Sequence, residues 1–130
     1  DGELQEGQIW EASMFAGNKK LDNLIVFLDN NGGQSDGKIT EIMPLTPIED
    51  KWQSFGWEVS TINGHDHDQI ANAIDTHKNK KIQKPLMLVS ETRKGYITEN
   101  LTILDGSHGG SMTQEILDEV KKELAISNGV

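Results

Sequence analysis

The sequence predicts an α/β fold, a three-layer sandwich around a mainly parallel sheet. Three observations carry that expectation. Segments with helical apolar spacing alternate along the chain with short apolar runs. Two of the three runs, from Asn23 to Asp29 and from Leu86 to Ser90, are nearly continuous in apolar residues, as strands buried on both faces are. The length of 130 residues suits one domain of ordinary size rather than two.

Each element has its own signal. From Glu6 to Ala16, the residues Ile9, Trp10, Met14 and Phe15 fall at helical spacings, with Gly17 as the expected stop. The apolar run ending at Asp29 is the first strand, and a polar, glycine-rich loop from Asn30 to Gly37 follows it. Thr46 is expected as an N-cap, with Pro47 at the first helical position and Glu49 completing a capping box. That helix runs through Trp52 to Phe55 and ends at Gly56, and Trp57 to Ile62 is a short strand. Asp66 or Asp68 caps a helix bearing Ile70, Ala71, Ala73 and Ile74. Pro85 precedes the third strand, and the stretch from Gly95 to about Gly110 reads as irregular. Ser111 to Glu115 opens a last amphipathic helix with Ile116, Leu117, Val120 and Leu124 on one stripe, and Ser127 to Val130 reads as a frayed tail. A fold of this kind expects a strand leading into Asp1, and none precedes the first helix.

Composition narrows the function classes. Twelve basic against 21 acidic residues leave a formal charge of −9, which weighs against non-specific binding to nucleic acid or to an anionic membrane. With no cysteine, disulfides, thiolate metal sites and cysteine nucleophiles are excluded. Counting its glycines, the chain is roughly 45 % apolar, at the lower edge of the globular range. No apolar run approaches a membrane span and the start has no signal-peptide pattern, so a cytoplasmic domain is expected.

In open α/β sheets, ligands bind beyond the carboxyl ends of the strands. Two loops of that kind are readable, Asp1-Gly2-Glu3 and Asn30-Asn31-Gly32-Gly33. The span between them suits one helix and one returning strand, so both are expected at the same sheet edge. Asp1 offers a carboxylate, Asn31 an amide oxygen, and the glycine-rich backbone offers carbonyls. Such a set of hard oxygens suits Mg²⁺ or Ca²⁺, with a diphosphate filling the remaining positions. Gly2 would let a phosphate approach the backbone, and a helix N-terminus following it favours negative charge.

These residues are recognisable. Asp1-Gly2-Glu3, a helix, then an apolar strand ending in Asn30-Asn31 resembles the thiamine-diphosphate motif. The fuller string DGELQEGQIWEA with NLIVFLDNNG, Asp36-Gly37, the FGW of Phe55–Trp57 and the NGHD of Asn63–Asp66 is similar to transketolases in particular, closely to about residue 95 and loosely beyond. The resemblance implies a thiamine-diphosphate-binding fold, with residues 1–130 as part of the diphosphate-binding domain. The preceding strand and the pyrimidine-binding domain are expected elsewhere. It implies a transferase that moves a two-carbon ketol unit between sugar phosphates with thiamine diphosphate and Mg²⁺ or Ca²⁺. Asp1 and Asn31 match the side-chain ligands of the cation, and Gly33 the backbone-carbonyl ligand. Gly2 matches the glycine beside the diphosphate. Glu6 matches a glutamate of the dimer-interface network joining two active sites. His108 matches the histidine near the diphosphate and the reacting substrate. A large apolar residue usually stands in place of Gly33, and isoleucine in place of Ser35. The implied partners are sugar phosphates and a pyrimidine-binding domain or subunit in a homo- or hetero-oligomer, so the chain by itself is expected to be inactive. The alternatives are a deoxyxylulose-phosphate synthase, a 2-oxo acid dehydrogenase component, or a non-catalytic interaction module.

Other conspicuous residues have plainer readings. His65-Asp66-His67-Asp68 looks like a metal cluster, but consecutive side chains diverge and His77 lies in the following helix, so a loop and N-cap is expected. Trp10, Trp52 and Trp57 read as core, and Lys78-Asn79-Lys80-Lys81 as a solvated helix end. Glu6 and Glu11 read by themselves as exposed helix carboxylates, and His108 as a loop histidine.

Overall fold

Five helices and seven short strands follow a 3₁₀ turn at Gly2–Gln5 in the computed structural model, which describes residues 1–103 and 112–127. The chain divides into two units, Asp1–Thr92 and Arg93–Val130. In the first unit, α1 (Gly7–Asn18) leads to β1 (Ile25–Asn30), a small hairpin of β2 (Gly33–Gln34) and β3 (Gly37–Lys38), and the one-turn helix α2 (Ile39–Ile42). Helix α3 (Ile48–Ser54), β4 (Glu58–Asn63), α4 (His67–Lys80) and β5 (Leu86–Glu91) complete it.

The sheet is parallel in the order β1-β5-β4. Strand β5 is central because its residues can be buried on both faces, and Leu86 to Ser90 are all buried. Met87 and Val89 face a cluster containing Leu4 and Ala16, the α3 residues Ile48 and Trp52, and Trp57. Leu86 and Leu88 face Ile62 and the α4 residues Ile70, Ala73 and Ile74. Helices therefore cover both faces, and the predicted three layers are present. The indoles lie in the larger cluster, as expected: Trp52 and Trp57 meet edge-on at 4.7 Å, and Trp57 Nε1 donates to the Ser13 carbonyl at 2.9 Å. The register places Asn30, Glu91 and Asn63 level, so the carboxyl ends of all three strands share one edge.

Several local expectations need correction. Gly17 does not stop α1; it lies in the last turn, where a Cβ would stand 1.9 Å from the Phe55 carbonyl oxygen. Its missing side chain serves a close approach between elements. Strand β1 is not buried on both faces: among the described residues it pairs with β5 alone, and Phe27 remains 51 % exposed. The loop after β1 folds back as the β2–β3 hairpin. Thr46 does not cap α3. Pro47 takes the cap position with an extended backbone, and the Glu49 carboxylate accepts from the Thr61 hydroxyl instead of closing a capping box. Lys80 is not merely solvated, because it pairs with Glu58.

In the second unit, part of the stretch expected to be irregular forms an antiparallel pair, β6 (Tyr96–Thr98) with β7 (Leu101–Thr102). Helix α5 spans Gln114–Ser127, with Val120 buried and Leu124 40 % exposed. Among the described residues no helix is long and apolar enough to cross a membrane.

Candidate functional site

The two loops expected to meet do meet. Asp1 reaches across to the end of β1: its nitrogen donates to the Asp29 carbonyl at 2.9 Å, and its Oδ2 accepts the Gly32 N–H at 2.7 Å. Its other carboxylate oxygen accepts the Gly2 N–H at 3.0 Å. Leu4, only 5 % exposed, pins the following 3₁₀ turn into the core and so holds Asp1 and Gly2 at the sheet edge.

Asn31 lies just past β1, and its Oδ1 accepts the Gly33 N–H at 2.9 Å. Gly32 takes φ +76°, a conformation that glycine adopts without strain, and this turns its N–H toward Asp1. Gly33 begins β2, and Gln34 beside it accepts from Gln5 Nε2 at 2.6 Å, which ties the hairpin to the 3₁₀ turn. Gly2 lacks a side chain where a Cβ would lie 2.9 Å from Gln34 Cβ, so the hairpin itself uses that space. The long helix starts within one residue of the expected Glu6, so it does not follow Gly2 directly. A four-residue 3₁₀ turn intervenes, and α1 begins at Gly7.

Glu6 is the N-cap residue of α1; it is exposed, and its side chain makes no capping hydrogen bond. His108 lies outside the described residues. The structure thus brings Asp1, Gly2, Asn31 and Gly33 together at one edge and sets Glu6 one turn further along the chain.

The chemistry of this donor set fits a hard divalent cation. Asp1 and Asn31 present oxygens, and each oxygen has a second lone-pair direction beyond the one its backbone N–H partner occupies. No group of three or more His, Asp or Glu side chains gathers among the described residues. A cation here would therefore be held by one carboxylate, one amide oxygen and main-chain carbonyls, a mixture that suits Mg²⁺ or Ca²⁺.

The His65–Asp68 loop is built differently. Asp66 caps α4, its Oδ1 accepting the N–H groups of Asp68 and Gln69 at 3.0 Å each and its Oδ2 accepting from Gln69 Nε2 at 2.9 Å. Asn63 Oδ1 takes the His65 N–H at 3.0 Å.

Two features escaped the sequence reading. Asp29 and Thr92 brace the site loop: Asn31 Nδ2 donates to Asp29 Oδ2 at 2.9 Å, and the Thr92 hydroxyl donates to Asp29 Oδ1. Asp29 sits two residues before Asn31, so its side was available to a strand-period argument, but Thr92 becomes a neighbour only through the β1–β5 pairing. The second feature is His77, 4 % exposed, with Nδ1 2.5 Å from Glu58 Oε2. Its place at the helical spacing of Ile70, Ala73 and Ile74 was the available signal.

Residues 1–129 match the family described as transketolase, thiamine diphosphate binding domain. The 6-deoxy-6-sulfo-D-fructose transketolase subunit SqwG of Clostridium sp. (strain MSTE9) is 45 % identical over 95 % of this chain and 45 % of its own length. An apulose-4-phosphate transketolase subunit of Phocaeicola vulgatus is 35 % identical over 96 % of this chain and 44 % of its own. The crystal structure of transketolase from Campylobacter jejuni superimposes with a TM-score of 0.81 at 32 % identity, over 95 % of this chain and 19 % of that one. The chain spans less than half the length of these curated relatives.

Proposed function

The chain belongs to the transketolase family through its thiamine diphosphate-binding domain, and from that premise we propose that it supplies the diphosphate- and metal-binding part of an enzyme moving a two-carbon ketol unit between sugar phosphates. The observation that carries this reading is the meeting of Asp1 with the Asn31–Gly33 turn through the Gly32 N–H. It brings together hard oxygens from two segments at the carboxyl edge of a parallel sheet, where such folds bind ligands.

In this reading Asp1, Asn31 and the Gly33 carbonyl hold Mg²⁺ or Ca²⁺, and Gly2 lies beside the diphosphate. The cation offsets the charge of a diphosphate set against a chain of net charge −9. When bound, thiamine diphosphate supplies the electron sink for breaking and forming the carbon–carbon bond. The protein's share is to anchor and orient it. His108 assists proton transfer at the substrate, and Glu6 joins a network with a second protomer.

The pyrimidine side of the cofactor is met by another domain or subunit, in a homodimer or a hetero-oligomer. Two relatives carry the word subunit in their names, which supports a partner polypeptide. The assembly is cytoplasmic and takes sugar phosphates, with no nucleic acid or membrane among its partners.

Calorimetric titration of the full chain with thiamine diphosphate, with and without Mg²⁺, tests this. Metal-dependent binding is expected, weakened by about 100-fold in Asn31→Ala, at the top of the range seen when a metal site loses a supporting group. Heat that does not depend on the metal, or an Asn31→Ala variant that binds like the wild type, would overturn the assignment. Turnover of ketose and aldose phosphates is expected only after a pyrimidine-binding partner is added.

A further inference from the structure

We infer that Asp29 is the positioning residue of this site, setting Asp1 through its main chain and Asn31 through its side chain; the consequence for metal binding rests on the reading of Asn31 as a cation ligand. Asp29 is the penultimate residue of β1 and is exposed. Its carbonyl accepts the Asp1 nitrogen at 2.9 Å, which fixes where the Asp1 carboxylate starts. Its Oδ2 accepts from Asn31 Nδ2 at 2.9 Å, and its Oδ1 accepts the Thr92 hydroxyl.

The orientation of the Asn31 amide follows from donor and acceptor counting. An ionised carboxylate can only accept, and the Gly33 N–H can only donate. With Asp29 on one side of the amide and the Gly33 N–H on the other, both demand the same orientation, Nδ2 toward Asp29 and Oδ1 toward Gly33 at 2.9 Å. A flipped amide would set oxygen against carboxylate and N–H against N–H. Asp29 therefore helps to keep the Asn31 oxygen on the Gly33 side, the oxygen that on this reading would meet the cation.

Thr92 gives the carboxylate a fixed base. It directly follows β5, and its N–H approaches the Asn30 carbonyl at 3.4 Å. The brace thus runs from the central strand through Thr92 and Asp29 to Asn31. Outer groups that orient a metal ligand typically account for 10–100-fold in metal affinity.

The test uses the full chain, with Mg²⁺ alone and then Mg²⁺ with thiamine diphosphate as probes, on Asp29→Ala, Asp29→Asn and Thr92→Val. The second readout is the hydrogen exchange of the Asn31 side-chain amide in the metal-free protein, observed by NMR. Asp29→Ala is expected to weaken Mg²⁺ binding by about 10-fold or more and to speed that exchange. Asp29→Asn should retain most of the affinity, since an amide at this position can accept from Asn31 and donate to Thr92 Oγ1. Should Asp29→Ala fail to fold, Thr92→Val, which removes only the outer brace, is expected to move both readouts in the same direction by less.

An unchanged Asn31 exchange rate in Asp29→Ala overturns the inference. An Asp29→Asn variant as impaired as Asp29→Ala does so too, because charge rather than orientation would then be responsible. If the wild-type chain binds no Mg²⁺, the cation reading fails, while an Asn31 amide protected in the wild type and released in Asp29→Ala still upholds the positioning.

Discussion

The loop after β1 and the β4–α4 segment lie at the same sheet, yet they satisfy their polar side chains in opposite ways. At the first, the Asp1 and Asn31 oxygens are met by single main-chain N–H groups. They come from segments far apart in sequence and keep lone pairs to share. In the second, each acidic side chain is saturated by several partners: Asp66 takes two main-chain N–H groups of its own helix and the Gln69 side chain, and Glu58 takes His77 and Lys80. A dense run of His and Asp in the sequence is thus a closed cap, while a sparse Asp and Asn pair is the open site. Convergence of oxygens from separate segments, rather than density of ligand-type residues, distinguishes a candidate binding site.

Gly64, in the second region, packs against Thr92, which holds Asp29 of the first, and altering it breaks the comparison hardest. A Cβ there would lie 2.4 Å from Thr92 Cγ2, 3.0 Å from Ser90 Cβ and 3.2 Å from the Glu91 carbonyl oxygen. Gly64→Ala is expected to cost about 1–3 kcal/mol by overpacking, measured by thermal or denaturant unfolding. Because Thr92 also holds Asp29, the substitution should weaken Mg²⁺-dependent binding of thiamine diphosphate as well. Lost stability with unchanged binding would show the two regions to be independent.

How far the sequence reached follows the same division between local and long-range causes. The α/β order and the central β5 were legible because hydrophobic period and continuity report burial directly. The meeting of Asp1 with Asn31 was legible because one helix and one returning strand must bring their ends to one edge. The Asp29–Thr92 contact was not, since it depends on which strand pairs with β1, and 63 positions separate the two residues. Gly17 was misread for a related reason: its small size serves Phe55, a residue of another element. The strands of β2–β3 and β6–β7, two or three residues each, are too short to show a strand period.

Asp66→Ala sharpens the contrast with a smaller effect. Helix α4 would lose the acceptor for the N–H groups of Asp68 and Gln69, and the melting temperature should fall by a few degrees, as for other lost caps. The main-chain N–H and then the side chain of Gln69 hold the Asp66 carboxyl below its ordinary value, so its stabilising contribution is lost as the pH falls. Metal-dependent binding of thiamine diphosphate should be unchanged by this substitution. A fall in metal affinity would return His65–Asp68 to consideration as a metal site.

The smallest effect is expected at Glu58, on the closed side of the comparison. Burial works against its ionised form, but hydrogen bonds from Lys80 and His77, with the charge on Lys80, outweigh it and hold the carboxyl below the ordinary 4.5. A lowered folded value means that the unfolded chain binds the proton more readily. The stabilisation is therefore complete above the ordinary carboxylate value and is lost as the pH falls through the folded one. Glu58→Gln should remove on the order of 1 kcal/mol at neutral pH, because Lys80 is half exposed and contributes as a surface partner. The difference from wild type should shrink as both are titrated into acid and be followed by unfolding at a series of pH values. Glu58 lies at the amino end of β4, opposite the site edge, so cation affinity should not change with it. If affinity did fall, the buried His77 contact would be acting on the open loop through β5, and the separation of the two regions would have to be given up.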